Sequence, residues 1–290
     1  MNNAIKKFSG RLARKLMQAF WAMHRPLVLQ NKQLKNIHTG ETCFIFANGA
    51  SLKYYDISKL PKKPAIVGAF SLIDRRASLL NVKYYVTTDS YSLYSILYNT
   101  YPFIRKFQWN KIRQLYLDIF KGAGDLITFV NITNFYSSLC RRGNIKYYYR
   151  FEDKESFNHD LAGSFSNCRG ALDTMLGVAK YLGFSRAVLI GCDYLGTPPV
   201  MGHFYADSRP FSLKPGEDRL ADYRARIKIA AEGIDVTVIL PDGVTSPDFR
   251  FDSFENYFSL EKEYKENTEF IDSRHLEMLR AAAAVSQAQM

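Results

Sequence analysis

The sequence predicts an α/β fold, a single Rossmann-like domain with a mostly parallel sheet, preceded by an amphipathic N-terminal helix. Short apolar runs alternate with segments of helical period, as in folds built from strand–helix–strand units. The 290 residues are 47% hydrophobic, enough for one large α/β domain and too few for two full ones. We therefore expect a basic N-terminal segment over residues 1–40, the α/β domain over 41–272 and a C-terminal tail over 273–290.

The N-terminal segment is basic and has one apolar stripe. The first 40 residues contain eight Lys and Arg and no Asp or Glu, which accounts for most of the formal net charge of +11. The pattern predicts a helix from about Ala4 to Met23 that Pro26 ends. Such a helix would bind an anionic membrane surface through residues 4–25. Docking on the domain itself or on a partner chain is the alternative, and without a nucleic-acid module we expect no nucleic-acid partner. The stripe consists of Ile5, Phe8, Leu12, Leu16, Phe20 and Met23.

The first strand of the domain ends in a small, polar elbow. Cys43–Ala47 is a short apolar run, and Asn48, Gly49, Ala50 and Ser51 follow it at once. Gly49 permits a positive φ or the close approach of a ligand, and Ser51 would cap a helical turn beginning at Leu52. The elbow is either an ordinary turn or a phosphate-binding one. Its glycine spacing matches neither the dinucleotide fingerprint nor the P-loop, which argues against both classes.

A second elbow follows a long helix and a buried strand. After Gly170 apolar residues recur at helical spacing until Gly183, which ends the helix. The strand Ala187–Ile190 comes next, with Gly191–Tyr194 at its carboxyl end, where open α/β sheets bind ligands. Asp193 within that elbow either caps the next turn or holds a ligand.

Other periodic segments complete the alternation of strands and helices. The remaining strands are predicted at Ala65–Ala69, Tyr84–Thr88, Leu126–Val130, Lys146–Arg150 and Val236–Leu240. The remaining helices are predicted around Tyr91–Tyr98, Phe103–Phe120 and Asp218–Glu232.

Three further residues carry candidate chemistry. His203 lies in a Gly- and Pro-rich loop after Asp193 and suits acid–base work or a phosphate contact, although many loop histidines are only solvated. Arg169 at a helix start is unfavourable for the helix dipole unless an anion binds there, and the alternative is a surface ion pair. Asp89 either caps the helix near Ser90 or binds a sugar.

The cysteines and the apolar runs exclude several classes of protein. The four cysteines are widely spaced, without C-x-x-C pairs, so we predict free thiols in a reducing cytoplasm, no disulfide framework and no metal site. There is no signal-peptide pattern and no run of 18 apolar residues. The expected location is cytoplasmic, peripheral to the inner face of the membrane.

The two elbows resemble those of bacterial sialyltransferases and related transferases that use CMP-activated ulosonic acids, with flagellin-modifying nonulosonate transferases as distant relatives. Ala47-Asn-Gly-Ala-Ser-Leu52 is similar to their first loop, and Gly170–Tyr194 is similar to their elbow, helix, strand and strand end. The resemblance implies that Asn48 and Gly49 contact the nucleotide, and that Tyr194 and Tyr205 contact its phosphate. Ser51, Arg169 and Gly170 complete the predicted donor site.

The chain departs from the family pattern at the catalytic base. The stretch Asp207–Arg219 matches the family's flexible lid but contains no histidine, so His203 becomes the candidate base, with Asp89 and Asp193 in reserve. Gly68, Thr88-Asp89 and Cys168-Arg169 stand where the family has other residues. The chain has no D-x-D motif, and the CMP leaving group of such a donor carries only one phosphate. We therefore predict that the reaction needs no metal and no separate cofactor.

The resemblance implies a glycosyltransferase that moves a sialic-acid-like or Kdo-like ulosonic acid from a CMP donor to a surface glycan or glycolipid, as in polysaccharide or lipopolysaccharide biosynthesis. Two alternatives stay open. A noncatalytic scaffold of a glycan assembly complex would explain the missing lid histidine, and a pterin-type pyrophosphokinase would share parts of both elbows.

Overall fold

The structure is a computed structural model in which thirteen segments of the chain are described. These are residues 19–68, 70–87, 114–115, 117–119, 121, 124–138, 143–151, 157–163, 165–166, 170–200, 202–205, 219–262 and 270–279. The predicted helix at residues 91–98 and most of that at 103–120 lie outside them.

Eleven strands form two sheets in the described residues. They are β1 (Thr42–Phe46), β2 (Ala65–Gly68), β3 (Val82–Val86), β4 (Ile127–Asn131), β5 (Asn144–Tyr148), β6 (Arg150–Phe151), β7 (Asn158–His159), β8 (Phe165–Ser166), β9 (Arg186–Ile190), β10 (Asp235–Ile239) and β11 (Arg250–Asp252). The large sheet has the order β11-β10-β9-β1-β2-β3-β4-β5, and β6-β8-β7 form a small second sheet.

All neighbouring strands of the large sheet are parallel, which confirms the predicted single Rossmann-like α/β domain. Alternate residues of β1 enter different cores: Cys43 and Ile45 face one, Phe44 and Phe46 the other. Burial on both faces explains why these strands are continuous apolar runs. The helices Ala171–Leu182 and Arg219–Ala230 contribute to the first core.

The order of the strands reverses at β1. From β1 the chain adds β2 to β5 on one side, and β9 to β11 lie on the other. The carboxyl ends of β1 and β9, paired from Thr42–Arg186 to Phe46–Ile190, therefore flank a topological switch point. In open α/β sheets this crevice is where ligands bind.

The described end of the N-terminal helix docks on the domain. Residues 19–29 are helical, so the prediction that Pro26 ends the helix is wrong. Val28 is fully buried, and Phe20 and Trp21 pack into the same apolar cluster. This burial offsets the backbone hydrogen bond that Pro26 lacks. Residues 19–29 are therefore docked on the domain, as the alternative prediction had it. Met23, a member of the predicted apolar stripe, is 68% exposed. Residues 1–18 lie outside the described ranges.

The C-terminal part of the chain adds elements that the sequence did not predict. The short helix Phe254–Phe258 and a helix at residues 273–279 lie beyond β10. Met278 and Leu279 are buried in the second core, so residues 273–279 of the predicted tail pack on the domain, and residues 280–290 lie outside the described ranges. No helix in the described ranges is long and apolar enough to cross a membrane.

Candidate functional site

The loops that follow β1 and β9 touch each other at the switch point. The Gly49 N–H donates to the Gly191 carbonyl over 2.8 Å. A Cβ on Gly49 would lie 2.5 Å from both the Asp193 Cγ and that carbonyl oxygen. Gly191 itself has a φ of +70°, in the left-handed region that favours glycine. Both glycines are therefore required by the approach of the two loops.

Asp193 ties the two loops together from inside the protein. It is fully buried, and its carboxylate accepts hydrogen bonds from the Ser51 N–H at 2.8 Å and the Ser51 hydroxyl at 2.6 Å. Burial raises the pKa of Asp193 to about 6, against the lowering effect of the bonds from Ser51 and from the Ala50 backbone. The carboxylate therefore caps the turn Ala50–Lys53.

This geometry corrects two predicted roles. Asp193 has no exposed surface, so it is a positioning residue and not a catalytic group that touches substrate. Ser51 is 1% exposed and its two donors are engaged by Asp193, so it does not contact a nucleotide. Ser51 is also not the cap of a turn at Leu52, because the turn begins at Ala50 with Gly49 as its N-cap residue.

Three of the predicted site residues form an aromatic–imidazole cluster, which we name the His203 cluster: Tyr194, His203 and Tyr205. The imidazole of His203 stacks on the Tyr205 ring at 5.0 Å between centroids and meets the Tyr194 ring edge-on at 6.3 Å. An isolated bridge pairs His203 with Gly49, and the Phe204 N–H donates to the Asn48 carbonyl over 3.0 Å. The cluster therefore lies directly against the β1 elbow.

Burial sets the protonation of the His203 cluster. It lowers the pKa of His203, partly offset by the Asn48 backbone, so the imidazole is neutral at neutral pH. The pKa values of Tyr194 and Tyr205 are raised, mainly by burial, so both hydroxyls remain donors. Among the described residues, the buried His203 Nδ1 has no hydrogen-bond partner. An unpartnered buried nitrogen of this kind is a position that a ligand can complete.

Asn48 lies half-buried beside the cluster. Its side-chain oxygen accepts a 2.9 Å hydrogen bond from the hydroxyl of Ser71, which is itself buried. This bond orients the carboxamide. The Asn48 Nδ2 makes no hydrogen bond to any part of the chain that the structure describes, so it remains a donor for a ligand.

Gly170 begins the helix Ala171–Leu182, as the sequence predicted. Its N–H donates to the Asp173 carboxylate over 2.8 Å, and Asp173 pairs with Arg226 at 3.1 Å. The Arg226 guanidinium lies 5.5 Å from the centre of the Tyr223 ring, and the pKa of Tyr223 is raised by burial and by neighbours that include Tyr194.

These contacts link Gly170 to Tyr223 through residues that the sequence analysis missed, and Tyr194 of the His203 cluster acts on Tyr223 electrostatically. Asp173, three residues after the helix cap, follows a capping pattern that could have been recognised. Tyr223 and Arg226 are three residues apart on the helix Arg219–Ala230. Because this spacing is common in exposed helices, it gave no signal of a role at the site.

Arg76 holds the loop that follows β1. The Arg76 guanidinium donates to the carbonyls of Leu52 and Tyr55, each at 3.0 Å, and pairs with Asp74 at 2.8 Å. It lies 3.9 Å from the centre of the Phe270 ring. Phe270 in turn contacts Phe204, next to His203, with ring centroids 5.8 Å apart. Phe270 of the C-terminal segment therefore contacts both the arginine that holds the β1 loop and the residue next to His203.

Two predicted site residues, Asp89 and Arg169, lie outside the described ranges. The predicted free thiols Cys43 and Cys192 are buried and unbridged. Within the described residues, no group of three His, Cys, Asp or Glu side chains is placed to hold a metal ion.

Comparison with known proteins gives one similarity. No protein-family model matches the chain, and no curated protein matches it. Among solved structures, the chain is similar to the sialyltransferase CstII from Campylobacter jejuni in complex with a substrate analogue, cytidine-5'-monophosphate. The identity is 13% and the TM-score 0.27, over 86% of this chain and 98% of that one. Values this low do not assign a function.

Proposed function

We propose that this chain is a glycosyltransferase that moves a sialic-acid-like or Kdo-like ulosonic acid from a CMP donor to the glycan or glycolipid precursor of a surface glycan. The observation that carries the proposal is the convergence of Asn48 and the His203 cluster at the switch point between β1 and β9. This is where open parallel sheets bind nucleotides, and the two elbows that meet there are those that resemble the CMP-dependent family.

The site supplies the groups that this reaction needs. The Asn48 carboxamide would donate to the nucleotide, and the Tyr194 and Tyr205 hydroxyls to the phosphate that leaves with CMP. These donors stabilise the charge that develops on the leaving group as the sugar becomes oxocarbenium-like. Arg169, which directly precedes Gly170 in the sequence, is proposed to assist these donors in binding the phosphate.

His203 is the proposed general base. Its lowered pKa keeps the imidazole neutral near pH 7, and one buried ring nitrogen has no partner among the described residues. A neutral imidazole can accept the proton of the acceptor hydroxyl as the new glycosidic bond forms. Asp89 remains the reserve base, whereas the buried Asp193 fixes the loop on which Asn48 lies.

We further propose that the reaction needs neither a metal nor a cofactor besides the donor sugar. The enzyme would work at the inner face of the membrane, where the basic residues among 1–18 would contact anionic lipid. The described part of the N-terminal helix, from residue 19, would anchor that segment to the domain through Val28.

Nucleotide release tests the proposal. The protein is incubated separately with CMP-sialic acid, CMP-Kdo and ATP, each with and without a membrane glycolipid extract as acceptor, and free nucleotide is measured. Release of CMP from one of the CMP sugars is the expected result. Binding of CMP without release from either CMP sugar would favour the noncatalytic scaffold, and AMP formed from ATP only when a hydroxymethylpterin is added as acceptor would favour the pyrophosphokinase.

A further inference from the structure

One cleft among the described residues lies away from the His203 cluster. It has a volume of about 170 Å³, which is smaller than the range of about 300–1,000 Å³ typical of sites for drug-sized ligands. Arg186, Asp235 and Arg250, which line it, are the first residues of β9, β10 and β11. The candidate transfer site lies at the opposite, carboxyl ends of these strands. We name this space the strand-start cleft.

The polar groups of the strand-start cleft are of both signs. Arg186 and Arg250 supply guanidinium donors, and Asp235 and Asp252 supply carboxylate acceptors. Arg250 and Asp235 approach each other to 3.5 Å but remain 70% and 48% exposed, so both can still bind a ligand. Within the described residues the Arg186 guanidinium has no carboxylate partner. The lining is therefore formally neutral on a chain whose net charge is +11.

Aromatic side chains line the same cleft. Tyr257 is 38% exposed and Phe251 is 41% exposed, so both residues leave part of their surface open to a ligand. Tyr257 comes from the helix Phe254–Phe258, so it contributes a ring from outside the sheet. The cleft thus combines aromatic surface with paired donors and acceptors.

These properties favour a neutral, polar ligand. Because two guanidiniums and two carboxylates line the cleft, neither an anion nor an amine gains a net electrostatic attraction there. An apolar ligand would bury the charged groups without hydrogen bonds, which is costly. A sugar ring satisfies all of them, because vicinal hydroxyls both donate and accept while the C–H face packs on an aromatic ring. We infer that the strand-start cleft is an accessory binding site for a neutral saccharide.

The inference goes beyond the proposed transfer reaction, since binding at this cleft needs no donor. Its natural ligand would be part of the acceptor glycan, held away from the transfer site, and that identification rests on the proposed function. An accessory site of this kind would raise the local concentration of a long acceptor without changing its chemistry.

Saturation-transfer NMR on the full chain tests the inference, with lactose, cellobiose and N-acetylglucosamine as probes and citrate as an anionic control. At least one sugar should give transfer to its ring protons, with or without saturating CMP, and citrate should not. Tyr257→Ala should weaken sugar binding about tenfold, and Tyr257→Phe, which keeps the ring, should bind like wild type. Arg186→Ala, at an exposed strand start, should also weaken binding.

Asn48→Ala is the matched control, because it alters the transfer site and leaves the strand-start cleft intact. It should keep full sugar binding, and CMP binding is measured in parallel so that failure of the proposed function is seen separately. Absence of transfer to all three sugars would overturn the inference. A sugar signal unchanged by both Tyr257→Ala and Arg186→Ala, in variants that unfold at the wild-type temperature, would overturn it as well.

Discussion

Replacing Asp193 by Asn separates a buried cap from a catalytic carboxylate. Both oxygens of Asp193 accept bonds from Ser51, at 2.8 Å and 2.6 Å, in a fully buried position. In Asp193→Asn the carboxamide oxygen can accept from the Ser51 N–H while its NH2 donates to the Ser51 hydroxyl. Two neutral bonds then replace two charged ones, and the cost of burying a charge disappears. We expect a loss of about 1 kcal/mol or less in unfolding free energy at pH 7.

The dependence of this loss on pH has a definite sign. The folded pKa of about 6 exceeds the ordinary value of 3.8, so the folded state binds the proton more tightly than the unfolded chain. The contribution of Asp193 to stability is therefore complete below pH 4 and is lost as pH rises through 6. The shift corresponds to about 3 kcal/mol. The advantage of wild type over Asp193→Asn should grow by most of that amount, about 2 kcal/mol, between pH 7 and pH 4.

Urea unfolding of both proteins at pH 4, 5, 6 and 7 measures this difference. Asp193→Ala provides the contrast, because it leaves two buried Ser51 donors without an acceptor and should cost about 2–5 kcal/mol at pH 7, with the same increase toward pH 4 as for Asp193→Asn. An advantage of wild type that shrinks as pH falls would mean that the ionised carboxylate is the stabilising form. That result would refute the assignment of Asp193 as a desolvated cap.

Three further predictions concern the site and the N-terminus. His203→Gln should cut transfer by about 10²–10⁴-fold with little loss of CMP affinity, and the wild-type rate should fall as pH drops through the lowered imidazole pKa; near-normal transfer would move the role of base to Asp89. Arg76→Lys should cost about 2–3 kcal/mol in urea unfolding, since lysine cannot bond the carbonyls and Asp74 together, whereas Arg75→Lys, 65% exposed, should cost less than about 0.5 kcal/mol. Deleting residues 1–18 should abolish salt-sensitive binding to phosphatidylserine vesicles, and equal binding by both forms would remove the membrane interpretation.

The strands of the large sheet could be predicted from the sequence because a strand that is buried on both faces is a continuous apolar run. The run at Cys43 and the run at Ala187 were recognised to within one residue as β1 and β9. Their pairing at the switch point could not be read from the chain, since it depends on strand order. β11 has three residues and no apolar run, so it carries too little signal to predict.

Within the site, the sequence identified the residues that meet but not which of them face a ligand. Asn48, Tyr194, His203 and Tyr205, which the sequence analysis had selected, lie close together. Asp193 was selected because it lies at the end of a strand. The sequence does not show whether a carboxylate at that position faces solvent or a neighbouring loop.

Supporting residues are harder to predict than residues at strand ends. Arg76 lies in the short turn Arg75–Leu79, away from any strand end. One of its partners is Phe270, almost two hundred residues later in the chain. Contacts at this separation have no local signature in the sequence. The same is true of Pro26, whose place inside a helix depends on the burial of Val28 against β4 and β5.

The most direct test of the central claim, that the crevice between β1 and β9 binds CMP, is a calorimetric titration of CMP into wild type and Asn48→Ala. Wild type should bind CMP and bind UDP and NAD far more weakly, and Asn48→Ala should lose about 1–2 kcal/mol of CMP affinity, the contribution of one good hydrogen bond. Equal affinity for CMP in both proteins, or no heat of CMP binding to wild type, would contradict the account.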